Sequence, residues 1–247
     1  MMATITASKQ IADLSLLKRA YVALEQVQAK VDALEQARRE PIAVVGMACR
    51  LPGGADTPEA YWQLLRNGVD AVCDMPAGRW DVEALYDPDP AAPGKICTRR
   101  GGFLRDPVDQ FDPQFFGISP REAERMDPQQ RLLLEVGWEA LENAAQIEDR
   151  LACSATGVFV GLTSHDYADL HLASHDMSQI DTHVLTGNSH NAAAGRLSYC
   201  FGFQGPCLAV DTACSSSLVA VHLACKSLLL GECRRALAGG ALSKLFG

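Results

Sequence analysis

The nine cysteines of this 247-residue chain include no C-x-x-C pair, and most of this odd-numbered set lies within apolar runs. Such a set is typical of reduced thiols and argues against a disulfide framework and against zinc. No stretch reaches the roughly eighteen apolar residues of a membrane span, and the amino terminus lacks the pattern of a secretory signal. We therefore expect a cytoplasmic protein that does not enter a membrane.

Basic residues are also scarce. The chain has 22 Lys and Arg against 30 Asp and Glu, which gives a formal net charge of -8. Dense basic spots are confined to the arginine pairs at 38–39, 99–100 and 234–235, so no nucleic-acid-binding surface is evident. The 48% hydrophobic content suits one folded domain, with length left for an extension.

Residues 13–40 contain neither glycine nor proline and predict one long helix. Its apolar residues recur three or four positions apart, at Leu14, Leu17, Tyr21, Leu24, Val27, Val31 and Leu34. This spacing is close to a heptad seam with a stutter, so we expect a short coiled coil between two copies. The alternative is a helix packed on its own domain. Pro41 ends the helix and places a domain boundary near residue 40.

The remainder alternates predicted strands with predicted helices. The strands are predicted at 42–48, 157–162, 208–213 and 235–241, and the helices at 58–67, 128–144, 189–200 and 215–230. Thr57 and Asp127 are the expected N-caps of two of these helices. The alternation predicts an α/β fold with a covered sheet. Its glycines form neither a P-loop nor a dinucleotide fingerprint, so no nucleotide is expected.

Cys214 is predicted to lie at a tight turn between the strand at 208–213 and the helix from 215. Such a turn projects the thiol out of the sheet, towards the free N–H groups and positive end of the helix, which favours the thiolate. The backbone N–H of Cys214 is also placed to stabilise an oxyanion, so acyl transfer is the natural chemistry. On the local pattern alone, a small buried core residue is the alternative.

Neighbouring polar residues are assigned supporting roles. The three serines at 215–217 are expected to cap the first turn of the helix. Asp211 and Thr212 are expected to fix the turn by hydrogen bonds rather than to transfer protons.

The histidines are weak candidates. His165, His171 and His175 lie with three aspartates in a predicted polar loop, where their irregular spacing argues against a metal site. His183 and His190 flank a T-G-N segment and are kept as alternatives for a catalytic role. His222 is predicted to be a core histidine.

The segment GPCLAVDTACSSSLVAVHLACKSL, residues 205–228, closely resembles the active-site segment of the ketosynthase domains of modular type I polyketide synthases. Four further segments are similar to that family in the same order, at 41–54, 111–144, 186–199 and 236–240. The resemblance implies the amino-terminal part of a thiolase-like fold, preceded by a long coiled-coil helix. It also implies that Cys214 is the catalytic nucleophile.

The resemblance further implies a homodimer with ping-pong chemistry. Cys214 would accept an acyl chain from an acyl carrier protein, and a malonyl-type carrier thioester would then decarboxylate and attack it. The chain itself would bind no cofactor, because its substrates would arrive on phosphopantetheine arms. Residues 1–40 resemble a docking segment, pairing with an upstream synthase subunit through 13–40, and residues 41–247 are the incomplete ketosynthase domain.

The family's two further histidines and its lysine are not matched. The sequence contains no H-G-T-G-T segment, and ALSKLFG at 241–247 departs from the family pattern. We therefore expect a truncated chain that cannot complete the condensation; the alternative is a non-catalytic docking or scaffold fragment. A cysteine hydrolase has little support without a paired base. An incomplete fold would expose apolar surface, above all along 215–230, so we expect aggregation or dependence on a partner.

Overall fold

The computed structural model describes residues 18–32, 35–36, 40–76, 81–146, 153–173 and 180–242. The chain divides into two compact units, 1–43 and 44–247. In the first, residues 18–32 form helix α1, which exposes the predicted stripe at Tyr21, Leu24, Val27 and Val31. Positions 13–17, 33–34 and 37–39 of the predicted helix lie outside the described residues.

The second unit alternates helices with strands. Its helices are α2 (Pro58–Arg66), α3 (Val82–Leu85), α4 (Pro120–Arg125), α5 (Pro128–Asn143), α6 (Asp166–Ala173), α7 (Thr182–Asn188), α8 (His190–Phe201) and α9 (Ser216–Leu229). Its strands are β1 (Val72–Asp74), β2 (Arg100–Gly102), β3 (Thr156–Gly161), β4 (Cys207–Val210) and β5 (Arg235–Gly240). The α/β prediction is confirmed. Among the described residues, no helix combines the length and apolarity needed to cross a bilayer.

A three-stranded parallel sheet in the order β4-β3-β5 forms the centre of this unit. The register places Gly161 of β3 opposite Val210 of β4 and Gly240 of β5, so the three strands end level at one edge. Functional groups of parallel α/β sheets gather at such carboxyl ends. Strands β1 and β2 form a separate antiparallel pair.

Both faces of this sheet are covered. On one face Val158 and Val160 pack with α5 and α8, and Phe159, which points the opposite way, packs with Ala220 and Ala224 of α9. Val158 is 0% exposed and Phe159 is 1% exposed. Alternate side chains of a strand face opposite sides, so the continuous apolar run of β3 produces a three-layer α/β/α arrangement.

The first turn of α5 is polar but buried. The N-cap Asp127 accepts the backbone N–H of Gln129 through Oδ1 at 2.8 Å. The Gln130 side chain donates to the carbonyls of Thr186 and Ser189 at 3.2 and 3.3 Å. These bonds satisfy the buried groups and tie α5 to the junction of α7 and α8. Burial raises the pKa of Asp127, against the lowering effect of its bonds to Gln129.

The strand predicted at 42–48 is wrong. Residues 44–48 pair with no strand among the described residues, and Val44 and Val45 are 76% and 66% exposed. The segment instead lies on the last turns of α5, where Met47 N–H donates to Asn143 Oδ1 at 3.0 Å. A Cβ at Gly46 would stand 2.3 Å from the Ala140 carbonyl oxygen. Contact with a helix end therefore replaces the neighbouring strand that an apolar run normally needs.

The predicted polar loop after β3 is also wrong, because it contains α6 and α7. Asp166 and Asp169 lie in the first turn of α6, where negative charge stabilises the positive end of a helix. Asp181 caps α7, its Oδ1 accepting the N–H groups of His183 and Val184 at 2.9 and 3.2 Å. Asp166 and Asp169, which suggested a polar loop in the sequence, therefore lie at the start of a helix.

Candidate active site

Cys214 lies in a short 3-10 turn, Ala213–Ser215, between the end of β4 and the start of α9. Its side chain is exposed. The predicted turn from strand to helix is confirmed, although β4 ends at Val210 rather than at residue 213. The thiol is therefore accessible and adjacent to the amino-terminal end of a 14-residue helix.

Ala213, the residue before the thiol, has a left-handed backbone with φ of 54°. For a residue with a Cβ this conformation costs roughly 1 to 3 kcal/mol, so its surroundings must hold it. Asp211 contributes directly, because its Oδ1 accepts the N–H of Ala213 at 3.0 Å. The predicted structural role of Asp211 is confirmed, and the strained residue turns the chain sharply before Cys214.

The serines do not cap α9 as predicted. Ser215 is the N-cap, but it has helical backbone angles and its side chain makes no capping bond, whereas a capping side chain needs an extended backbone. Its hydroxyl instead donates back to the carbonyl of Thr212 at 2.9 Å. Ser216 Oγ also points backwards, accepting the N–H of Thr212 at 2.9 Å and donating to the carbonyl of Ala213 at 2.7 Å.

Glycine at the end of β3 allows α9 to approach the sheet closely. A Cβ at Gly161 would lie 2.6 Å from the Ser216 carbonyl carbon and 2.7 Å from the Ser217 nitrogen. The face of α9 that is buried carries the small residues Ser216, Ala220, Ala224 and Ser227. Sequence reasoning missed both features; the available signals were a glycine ending an apolar strand and small residues four apart in a helix.

The opposite face of α9 is apolar but exposed. Leu218 and Val221 are 74% and 45% exposed. His222 lies on this exposed side, so its assignment as a core histidine is wrong. The reason is geometric: the small residues take the sheet-facing stripe, which leaves the larger side chains outside.

The other candidate histidines lie on neighbouring elements. His190, the first residue of α8, stacks on His165 with ring centroids 4.0 Å apart, and its Nε2 lies 3.1 Å from the Ser164 carbonyl oxygen. His183 is in the first turn of α7, and His175 lies outside the described residues. Within the described part of the chain, no hydrogen bond joins a histidine to Cys214, and no group of three or more potential ligands could hold a metal.

The nine thiols differ in their surroundings. Besides Cys214, the exposed ones are Cys73, Cys97, Cys153 and Cys207. Burial raises the pKa of Cys49 and of Cys200, and Cys233 is 3% exposed. Exposure alone therefore does not distinguish Cys214, whereas its place in a strained turn before a long helix does.

Comparison with known proteins identifies this arrangement. The chain is 55% identical over 201 residues to a phenolphthiocerol/phthiocerol polyketide synthase of Mycobacterium tuberculosis, a match that covers 81% of this chain and 11% of that protein. It is 54% identical over 203 residues to the polyketide synthase GfsB of Streptomyces halstedii, covering 82% of this chain and 4% of that protein. The chain thus spans a small part of these relatives.

Solved structures agree. The oxazolomycin ketosynthase domain from Streptomyces albus superposes with a TM-score of 0.74 at 42% identity, covering 82% of this chain and 34% of that domain. A ketosynthase from module 6 of the bacillaene synthase of Bacillus subtilis gives a TM-score of 0.71 at 39% identity, covering 83% of this chain and 32% of that chain. The predicted thiolase-like ketosynthase fold is confirmed.

The family model for the amino-terminal domain of β-ketoacyl synthases matches residues 39–245. This match includes the strand, turn and helix around Cys214, and it favours the ketosynthase interpretation over a scaffold fragment. The chain belongs to the β-ketoacyl synthase family, as an amino-terminal ketosynthase domain of the modular polyketide synthase type.

Proposed function

We propose that this chain carries the acyl-accepting cysteine of a polyketide synthase ketosynthase, and that this residue is Cys214. The observation that supports the proposal is the exposed thiol in a strained turn directly before α9. The family motif that carries the nucleophile also falls on this residue.

The proposed step is a transfer between two thioesters. The thiolate of Cys214 attacks the carbonyl carbon of an acyl group held on a phosphopantetheine arm, and a new carbon–sulfur bond forms. The resulting oxyanion is stabilised by the backbone N–H of Cys214. When the intermediate collapses, the bond to the phosphopantetheine sulfur breaks, and that thiolate leaves with the electron pair and takes up a proton.

The condensation is proposed for the synthase as a whole. A malonyl-type carrier thioester would lose carbon dioxide, and the resulting carbanion would attack the acyl group on Cys214. In this proposal the chain binds no cofactor of its own, its substrates remain on acyl carrier proteins, and the synthase is a cytoplasmic homodimer. The exposed stripe of α1 supports docking of an upstream subunit through residues 13–40.

The test is site-resolved acylation of the full chain. We would incubate it with an acyl N-acetylcysteamine thioester, a small substitute for the carrier thioester, and map adducts by mass spectrometry. We expect the acyl group on Cys214 ahead of the four other exposed thiols, and we expect Cys214→Ala to abolish this adduct. Cys207→Ala is the matched control, because Cys207 is exposed and lies in the preceding strand. Equal acylation of all five exposed thiols would refute the proposal.

A further inference from the structure

The hydroxyl of Ser216 is buried beneath the turn that carries Cys214. Ser216 is 5% exposed, whereas Ser215 and Ser217 on either side are exposed. The side chain therefore cannot act on substrate from the surface. Its position suits a role inside the turn.

All hydrogen-bonding capacity of this hydroxyl is used. A serine hydroxyl offers one proton and two lone pairs. The proton goes to the carbonyl oxygen of Ala213 at 2.7 Å, and one lone pair accepts the N–H of Thr212 at 2.9 Å. The remaining partner is Thr163 Oγ1 at 3.3 Å, which must be the donor because the Ser216 proton is already committed.

These three bonds connect separate parts of the fold. Thr163 follows the end of β3, Thr212 and Ala213 precede the thiol, and Ser216 begins α9. The bond to Ala213 holds the carbonyl of the residue whose left-handed backbone turns the chain. The hydroxyl therefore ties the backbone that precedes Cys214 to the first residue of the helix that follows it.

Ser216 also has little freedom to move. Its carbonyl carbon would be 2.6 Å from a Cβ at Gly161, so the start of α9 lies directly on the end of β3. A group anchored in this way can hold a strained neighbour because its own position is set by the sheet.

We propose that Ser216 is a positioning residue for the reactive thiol: its hydroxyl holds residues 212 and 213 in the conformation that directs Cys214 towards the acyl donor. This inference rests on the proposed role of Cys214. It concerns the direction in which the Cys214 side chain points. Ser216 itself touches no reacting atom.

The test compares alkylation of Cys214 with that of Cys207 in the same molecule, using iodoacetamide and peptide mass spectrometry on the full chain. Both thiols are exposed in the folded chain, so both can be alkylated. Variants are compared only under conditions where each shows a cooperative melt well above the reaction temperature, because unfolding would by itself bring the two rates together. We expect Ser216→Ala to lower this ratio about tenfold, the effect of losing buried hydrogen bonds. Ser217→Ala, the same chemical change at an exposed position, should leave the ratio within about twofold.

A second variant separates positioning from general packing. Glycine adopts a left-handed backbone without strain. Adding Ala213→Gly to Ser216→Ala should therefore restore part of the lost ratio. An unchanged ratio in S216A, or no recovery in A213G/S216A, would overturn the inference. If S216A shows no cooperative melt, Thr163→Val is the deciding variant. Because it removes one hydrogen bond to Ser216, we expect the ratio of alkylation rates to decrease about threefold. An unchanged ratio in T163V would overturn the inference.

Acylation by the N-acetylcysteamine thioester distinguishes the two proposals. If wild-type Cys214 takes no acyl group but its alkylation falls in S216A, the acyl-transfer proposal fails; Ser216 then still positions the Cys214 thiol, but not towards an acyl donor. If Cys214 is acylated normally in both proteins and the alkylation ratio is unchanged, the positioning role fails and the acyl-transfer proposal stands.

Discussion

Arg196 of α8 and Glu122 of α4 form a largely buried ion pair, with Arg196 Nη1 2.5 Å from Glu122 Oε1 and side chains 12% and 24% exposed. Arg196 Nε also donates to Gln130 Oε1 at 3.1 Å. The pair therefore links three helices on one side of the sheet. Removing one partner would leave the other poorly solvated.

We expect Glu122→Gln to lower the free energy of unfolding by about 1 to 2 kcal/mol, less than for a fully buried pair because both side chains retain some exposure. Glu83→Gln is the matched control, because Glu83 pairs with Arg99 at 2.9 Å with side chains 69% and 47% exposed. That change should stay within about 0.5 kcal/mol. Denaturant unfolding measures both, and equal effects would contradict the distinction.

Gly161→Ala should displace the start of α9. The added Cβ meets the backbone of Ser216 and Ser217, which cannot rotate away as a side chain end can. We expect a loss of about 1 to 3 kcal/mol in unfolding free energy together with slower alkylation of Cys214. Gly239→Ala is the control, since a Cβ there meets nothing within 4 Å. If the two variants behaved alike, close packing would not explain the glycine.

Asp127→Asn should flatten part of the pH dependence of stability. Because burial raises the pKa of Asp127 above its ordinary 3.8, the folded state holds this proton more tightly than the unfolded state. The stabilisation that this proton provides is fully present below pH 3.8 and is lost as the pH rises through the folded-state pKa. The Asn variant, which keeps a capping oxygen, should lack this decline. Asp127→Ala should instead lose about 1 kcal/mol across the range through the missing cap. The measurement is the free energy of unfolding as a function of pH. A decline in the Asn variant equal to that of the wild type would refute the assignment to Asp127.

His171→Gln should act in the opposite direction. Burial, with Arg125 and Arg131 nearby, lowers the pKa of His171 below its ordinary 6.5. The unfolded state then binds the proton more readily, so the stability from this group is present above 6.5 and is lost as the pH falls towards the folded pKa. The Gln variant should lose less stability than wild type on acidification from about pH 8 to 5. The exposed His222→Gln variant serves as control, and a wild-type slope in H171Q would refute the assignment.

Leu24→Glu should weaken self-association or subunit docking through α1. Leu24 is 68% exposed in the middle of the apolar stripe, so a charge there would be buried in any helix pair. Gln26→Glu adds the same charge on the opposite face of the helix and should have little effect. Analytical ultracentrifugation of the chain, alone and with a candidate upstream subunit, gives the readout. If both variants associated equally, the apolar stripe of α1 would not be the docking surface.

Much of the fold follows from local sequence signals. The Asp127-Pro128 start of α5, the Thr57 cap of α2 and the apolar run of β3 each predicted their element correctly, because local chemistry and burial agree there. The strand prediction for the apolar run at 44–48 was wrong because strand pairing depends on a neighbouring strand, which the run itself does not specify.

At the site, the sequence identified the position of Cys214 but not the means of holding it. The motif placed the thiol between β4 and α9, yet the serines were assigned to the wrong partners. Whether a serine hydroxyl bonds forwards to helix amides or backwards to the turn depends on its own backbone angles, which are helical at Ser215. The turn before it depends on the left-handed conformation of Ala213. That conformation is unusual for alanine and leaves no local sequence signal.

The small side chains along the buried stripe of α9, Ser216, Ala220, Ala224 and Ser227, act as spacers of minimal thickness between helix and sheet. A bulkier side chain at any of these positions should tilt the helix axis away from the sheet. A tilt at one end of a rigid helix also displaces its other end. We therefore expect a bulkier side chain at Ser227, between three and four turns beyond the cysteine, to shift the sulfur as well. The distance of a residue from the thiol is therefore a poor guide to whether its replacement lowers the reactivity of Cys214.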